Sequence, residues 1–443
     1  MLTIAQDSVL ANLPTAELQA SLSAFLTPVT DRLPDARLPA VAELMVHGII
    51  ASQSPLITQI ARGAGHDDAS IWPTSKRAYR FLENERFSHR LLLKGLYGVA
   101  QTTVTEQRPA YLVIAVDPVN FEKPYTQHLE GVSTVHKATP PDLYGEARLA
   151  RGYPAITATI VNLKQPAVSY ANWFSYVTPD FLSQNREVER AFRVSRALFP
   201  RAKLRFVGDS GLDDQKVFAQ VERVHAEFII RAYQNRTVEV YNTRLKRWET
   251  EALWDLVTSV PFDFEQDVLF THARRERCAR LSFGWFELRV PHTLQRLWAL
   301  VIRDASRADD DDLVLLTNVP LTTDRVVRQV YGDWRQRGQI EHGYRFDQEQ
   351  GLDVEDLRVS TLERMRRLFI LVLLAAQFVC YLDRTWPQAA LIWLRLLGGK
   401  LDLPQDRDGL YLLLRGLSAV WQTAATLAFM STHPFPRAIP TYG

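Results

Sequence analysis

A chain of 443 residues is too long for one minimal domain and long enough to bury a large core, so two to three structural units are expected. Hydrophobic content of 47%, with ten Trp and twenty-one Phe, excludes a wholly disordered chain. A net charge of +2 excludes a polycation, so any affinity for nucleic acid has to come from local clusters of charge.

The first residues carry Asp7 and Glu17 and lack the basic start and apolar core of an export signal. From about residue 15 to residue 101 apolar residues recur at helical spacing, as in Ala36 to Ala51 and Ser88 to Ala100. Within this unit SPLITQIARGAG offers Ser54 as an N-cap, Pro55 at the first helical position and Gly63 at the close. A second helix, TSKRAYRFLENERF, follows a polar turn and is expected to be capped by Thr74 or Ser75. The pair reads as helix, turn, helix. Its second member presents Lys76, Arg77 and Arg80, with Arg86 and Arg90 beyond, over an inward face of Tyr79, Phe81 and Leu82. That arrangement suits docking on DNA phosphates, and a merely solvated basic face is the alternative.

At YLVIAVD, residues 111 to 117, the pattern changes to a fully apolar β-branched run ending in an acid, as a central buried strand requires. AITATIVNL and AVSYANWFSYV continue as strands, REVERAFRVSRALF as a helix, KLRFVGD as a buried strand ending in Asp209, and AEFIIRA as a further strand. An α/β core is therefore expected. Between Asn235 and about Leu321 short strand-like runs separated by charged turns read as a β-rich insertion. Helical period returns through VVRQVYGDWRQRGQIEHGYRFDQEQ and in a long helix from Thr361 to Asp383. The most apolar stretch, Leu368 to Leu382, spans 15 residues and includes Gln377, short of the ~20 a membrane span needs, so it reads as a core helix and no membrane partner is expected.

Asp117 and Asp209 each terminate a hydrophobic strand, which sets a carboxylate at the rim of a parallel-type sheet, where sites form. Neighbouring carboxylates repel unless a cation lies between them, and Mg²⁺ favours carboxylate oxygens. Capping is the alternative for either aspartate. Asp213 or Asp214 is the better cap for the helix that follows, leaving Asp209 free of that role. Glu341 follows Trp334 and Arg337 at spacings that stack on one helical face, where a surface Arg337–Glu341 pair is the plain reading. Cys278 and Cys380 lack partners at metal-ligand spacing, and His225, His272 and His342 are scattered, so no zinc site is expected and a reducing cytoplasm fits.

Together, VIAVD, GDSGLDDQKVF, LLTNVP and YGDWRQRGQIE, in that order, resemble the insertion-sequence DDE transposases with an RNase H-like fold, and YRFLEN is similar to a segment of that family's DNA-binding region. The resemblance covers nearly the whole chain. It implies an α/β fold with a helical DNA-binding domain over 1–105, an RNase H-like core in 106–234 and 322–360, a β-rich insertion over 235–321 and a helical C-terminal region over 361–443. Asp117, Asp209 and Glu341 would be the catalytic carboxylates holding two Mg²⁺ ions, for which Mn²⁺ can substitute. A metal-activated water would cut the transposon end and the freed 3′-hydroxyl would attack target DNA. The family's Glu helix carries Tyr, Arg and Lys around the Glu. Here Trp334 stands in the Tyr position, Arg337 in the Arg position, and Gln348 where the Lys should be, with Arg345 the candidate substitute.

In the insertion, HARRERCARLSFGWFELRVP sets Arg274, Arg275, Arg277 and Arg280 beside Trp285, an arrangement suited to an unstacked base, with sheet packing as the alternative and Trp248, Trp254 and Trp298 as rivals. The implied partners are terminal inverted repeats and target DNA, with a homodimer in the synaptic complex of a cytoplasmic, bacterial, nucleoid-associated enzyme. A nuclease without strand transfer and a domesticated or degenerate DNA-binding protein are the alternative functions.

Overall fold

The computed structural model describes residues 13–64, 71–123, 128–137, 148–233, 235–272, 275–291, 293, 295–304, 312–338, 352, 354–399 and 409–432. Five helices come first: α1 (Thr15–Thr30), α2 (Leu38–Ser52), α3 (Ile57–Gly63), α4 (Ile71–Glu83) and α5 (His89–Gln107). The α/β part follows as β1 (Leu112–Glu122), β2 (Ser133–His136), β3 (Leu149–Ile160), β4 (Ala167–Trp173), α6 (Gln184–Leu198), β5 (Leu204–Gly208), a 3-10 turn (Ser210–Leu212), α7 (Gln215–Arg223) and β6 (Glu227–Arg231). Next are β7 (Thr237–Asn242), β8 (Arg247–Ala252), α8 (Leu253–Val257), β9 (Phe264–His272), β10 (Arg275–Arg289), β11 (Arg296–Asp304), β12 (Leu313–Thr317) and α9 (Asp324–Arg335). The chain closes on α10 (Leu362–Thr385), α11 (Gln388–Leu397) and α12 (Leu410–Thr432).

Two expected helix starts are corrected. α3 begins after Leu56, and the Ser54 hydroxyl instead accepts from the Leu56 amide at 3.3 Å, closing the turn before the helix. α4 is already helical at Ile71, its first described residue, with Pro73 tolerated near the start of the helix. Thr74 and Ser75 are therefore buried inside the helix, and the Ser75 hydroxyl donates back to the Ile71 carbonyl at 2.9 Å.

Helices from the two ends of the chain share one core. Leu18, Leu22, Met45 and Ile49 pack in the same cluster as Leu368, Leu371, Phe378, Leu414 and Trp421. α10 and α12 are each long and apolar enough to cross a membrane by length and composition, but the apolar window of α10 is 89% buried inside the protein. Burial on all sides makes α10 apolar all round. Its one deeply buried cation, Arg367, is met by the carbonyls of Leu82 at 2.9 Å and Asn84 at 2.8 Å and by Glu363 at 3.0 Å.

All the strands among the described residues belong to one mixed sheet, ordered β2-β3-β1-β5-β6-β12-β11-β10-β7-β8, with β4 on β3 and β9 on β10. β1, β5 and β6 run parallel, and β3 and β4 form an antiparallel meander on the other side of β1. Residues 235–321, expected as an insertion, supply β7 to β12, which continue this sheet past β6: β12 pairs with β6 from Leu315↔Arg231 to Thr317↔Ile229. The pairing covers the backbone edge that β6 would otherwise expose. One face, with Ile114, Leu204 and Phe206, is covered by α6 and α7 through Phe192, Val217, Phe218 and Val221. The other face, with Val113, Ala115, Val207, Ile229 and Leu315, is covered by α9 through Val327, Val330 and Tyr331.

Candidate active site at the end of the parallel strands

Leu112 to Val116 are all fully buried, as expected of a central strand packed on both faces. β1 does not stop at Asp117, as the sequence suggests, but runs on to Glu122 because Asp117 to Glu122 stay paired with β3. What ends near Asp117 is the parallel pairing with β5, whose last pair is Ala115↔Val207. Asp209 is extended, with φ −85° and ψ −173°, so the same register carried two residues further sets Asp209 opposite Asp117. Side chains alternate along a strand, so Val113, Ala115 and Asp117 share a face with Arg205, Val207 and Asp209. This is the face that α9 covers. Neighbouring strands lie about 4.8 Å apart, so the two aspartates stand side by side at the carboxyl end of the sheet.

Capping turns out to involve Asp209 after all. Its Oδ1 accepts from the Gly211 amide at 2.9 Å and caps the 3-10 turn. Asp214 caps α7 by accepting from the Lys216 amide at 2.7 Å, while Asp213 is buried in an ion pair with Arg236. A cap uses one carboxylate oxygen, and the other remains for a ligand.

α9 is held against this edge by polar contacts that the sequence reading did not single out. Thr323 caps it, its hydroxyl accepting from the Val326 amide at 3.4 Å. Near its other end the buried Asp333 carboxylate accepts from the Tyr111 hydroxyl at 3.0 Å and from Arg205. Arg205 also donates to Glu227 at 2.9 and 2.6 Å. Burial pushes the Asp333 carboxyl above the ordinary carboxylate range, and Arg205 pulls it back part of the way. The one sequence signal for this network is Arg205, a charge inside an otherwise apolar strand, KLRFVGD.

Trp334 then reaches β5 directly, its Nε1 donating to the Gly208 carbonyl at 3.2 Å, one residue from Asp209. The expected helix is interrupted at this point: α9 closes at Arg335, the Arg337 amide returns to the Trp334 carbonyl at 3.0 Å in a tightened turn, and Gly338 is again helical. Trp334 and Arg337 still meet, with the guanidinium 5.8 Å from the ring centroid. Glu341, His342, Arg345 and Gln348 lie outside the described residues. Among the described residues no three His, Cys, Asp or Glu side chains form a group that could hold a metal ion, so Asp117 and Asp209 stand as a pair.

The other expected DNA contacts sit on α4 and on the strands β7 to β12. Lys76, Arg77 and Arg80 are exposed on α4, while Ala78, Phe81 and Leu82 are buried beneath them. Trp72, missed in the sequence, is 60% exposed on the same helix, with the Lys76 ammonium 5.2 Å from its ring. Trp285 is half-buried and packs on Phe264 with centroids 6.2 Å apart. It occupies the ladder row of Asp209, through Arg231, Leu315 and Leu300, but four strands and about 19 Å away. The structure therefore does not bring it to the aspartates. The basic cluster beside it is partly neutralised, Arg277 by Asp304 at 2.6 Å and Arg280 by Asp267 at 3.1 Å. Trp248 lies under the Arg289 guanidinium at 4.4 Å, and Trp254 and Trp298 are half-buried in sheet cores.

No protein-family model matches the sequence, and no curated protein sequence matches it. Among solved structures, the fold is similar to a piggyBac transposase synaptic complex with hairpin DNA, at 7% identity and a TM-score of 0.41, over 96% of this chain and 86% of that one. So slight a likeness carries no argument about function.

Proposed function

We propose that the protein is a metal-dependent DNA phosphoryl-transfer enzyme, a cut-and-paste transposase whose carboxylates are Asp117, Asp209 and Glu341. The observation that carries this reading is the register of β1 on β5, which, continued two residues past its last pair, Ala115↔Val207, runs Asp117 and Asp209 opposite each other at the carboxyl end of parallel strands. The strand order, a three-stranded antiparallel meander followed by two parallel strands with helices between, supports an RNase H-like core. The Trp334 bond to Gly208 supports the third role, since it holds the chain seven residues before Glu341 against the end of β5, a span that chain geometry limits to about 25 Å.

The donors fit hard divalent cations: all three are carboxylates, and the two described ones, Asp117 and Asp209, belong to one sheet face. Asp117, Asp209 and Glu341 would hold two Mg²⁺ ions, with Mn²⁺ able to substitute, and these supply charge neutralisation and a more acidic bound water. The remaining work falls to positioning. Arg337, steadied on Trp334, and Arg345 hold DNA phosphates near the scissile bond, and Lys76, Arg77 and Arg80 hold the terminal repeat. A water oxygen attacks the phosphorus at the transposon end, the P–O3′ bond breaks, and the leaving 3′-oxygen takes a proton. That 3′-hydroxyl then attacks a target phosphodiester, displacing a second 3′-oxygen. Joining two ends requires two protomers, so a homodimer acts in synapsis.

The test is incubation of the full chain with Mg²⁺ and DNA carrying its native flanking inverted repeats. Nicks at the repeat termini and joined products are expected. Cleavage without joining would reduce the reading to a nuclease, and binding without cleavage in either metal would leave a DNA-binding protein.

A further inference from the structure

Metal ions would neutralise the acids at this edge, and a fixed cation beside them would seat the neighbouring phosphates of the strand. β6 supplies one. Gly208 pairs with Ile230, and the next step of that register sets Asp209 beside Arg231. Arg231 follows Ile229, which lies in the α9-side core, at the alternate position, so it shares the face of Asp117 and Asp209 one strand further on, about 4.8 Å across the ladder from Asp209. It is exposed, and among the described residues no hydrogen bond or ion pair holds its guanidinium. The arginines around it are committed elsewhere, Arg205 to Glu227 and Asp333 and Arg236 to Asp213.

Just beyond Arg231 the chain enters a cleft of about 410 Å³ lined by Asp213, Gln215, Tyr233, Arg236, Thr237 and Thr250. Its polar groups include both donors and acceptors, as the edge of a base requires. Tyr233 is 49% exposed, and its amide is fixed to Asp213 at 2.8 Å. A second internal contact steadies the wall, the Arg236 guanidinium lying 4.9 Å from the Phe218 ring.

We infer that Arg231 and Tyr233 form a nucleotide subsite, resting on the phosphoryl-transfer reading above: Arg231 grips the phosphate next to the scissile one, and the attached base, unpaired, stacks on Tyr233 in the cleft. Arginine suits the first role because its planar fork can bond two phosphate oxygens at once. Tyrosine suits the second because any base has a face to stack.

The experiment is fluorescence anisotropy with the full chain and two labelled DNAs of arbitrary sequence, a blunt duplex and a fork with an unpaired 3′ strand, from 50 to 200 mM salt. R231A is expected to lower the slope of log affinity against log salt by about one, the loss of one phosphate contact, and R231K to restore it. R223A, an exposed site on α7 over the opposite face, is expected to leave the slope alone. Y233A is expected to weaken binding to the fork about tenfold and to the duplex little, with Y233W retaining it. An unchanged slope in R231A, an equal drop in R223A, or a Y233A variant that keeps the fork preference would overturn the subsite while the wild type still bound DNA. Failure of the wild type to bind either DNA would remove the parent reading and the subsite with it.

Discussion

Around α10 the protein buries leucine, isoleucine and phenylalanine on every side, and its few buried charges are matched by carbonyls and counter-ions. Where the parallel pairing of β1, β5 and β6 ends, the same chain sets Asp117, Asp209 and Arg231 along one edge. The helical region gains stability from complementary packing, whereas the edge gathers groups that like-charge repulsion would scatter if nothing else came to bind. Substitutions should therefore separate the two regions. Changes at the edge should remove activity and leave stability, and changes in the helical region should do the reverse.

The largest effect is expected from D117A, D209A or E341A, each lowering end cleavage by roughly 10³-fold or more, the scale of removing a preorganised electrostatic group. Melting temperature should hardly move in D117A or E341A and fall only slightly in D209A, which also loses the cap on the 3-10 turn. A variant that retained near wild-type cleavage, or that lost it together with cooperative unfolding, would break the contrast. D333A comes next and tests the seam between the regions. Removing one partner of the buried Arg205–Asp333 pair is expected to cost about 3 kcal/mol in urea unfolding, the low end for a broken buried pair, because a guanidinium that is 4% exposed loses one of its two carboxylates and keeps Glu227. Cleavage should fall as well, since Asp333 holds the helix end that carries Trp334 to Gly208.

Most secondary structure was legible because it rests on periodicity: VIAV could only be a buried strand, and Leu368 to Leu382 a buried helix. The partnering of distant segments was not. Nothing in the local pattern says that α10 fills the centre of an N-terminal helical unit, or that β12 pairs with β6 so that the 235–321 strands extend the sheet. At the site, Asp117 and Asp209 could be picked out because each is a polar stop to an apolar run. Arg231 could not, because IIRAY looks like any strand leaving a core, and its meaning comes from the register of three strands. The break after α9 was not legible either: the helical spacing of Trp334, Arg337 and Glu341 gives no sign of the turn at Gln336 and Arg337.

A smaller effect sharpens the helical side. α2 and α3 meet at about 90°, and a Cβ on Gly48 would lie 2.3 Å from the Ile60 carbonyl oxygen, a backbone atom that cannot swing away. G48A is expected to cost about 1–3 kcal/mol by forcing the helices apart. Intrinsic cleavage at saturating DNA should be unchanged, and a neutral G48A in urea titration would show that the crossing is looser than the contact implies.

The smallest effect is electrostatic and confined to acid. Glu363, in the first turn of α10, accepts from the His89 amide at 2.6 Å, meets its Nδ1 at 2.5 Å and accepts from Arg367 at 3.0 Å. Burial pushes its carboxyl up, but the hydrogen bonds from His89 and Arg367 outweigh that and hold it down at about 2, against an ordinary 4.5. Between those values the unfolded chain binds the proton that the folded protein refuses, so stability rises with pH through the window and is lost as pH falls from about 4.5 toward 2. E363Q keeps the shape and removes the titration. Its melting temperature should therefore lie below that of the wild type at pH 6 and converge on it as pH falls from about 4.5 toward 2, a pH difference that a purely steric role for Glu363 would not produce. Parallel melting curves over that range would mean that α10 is anchored by its apolar contacts alone.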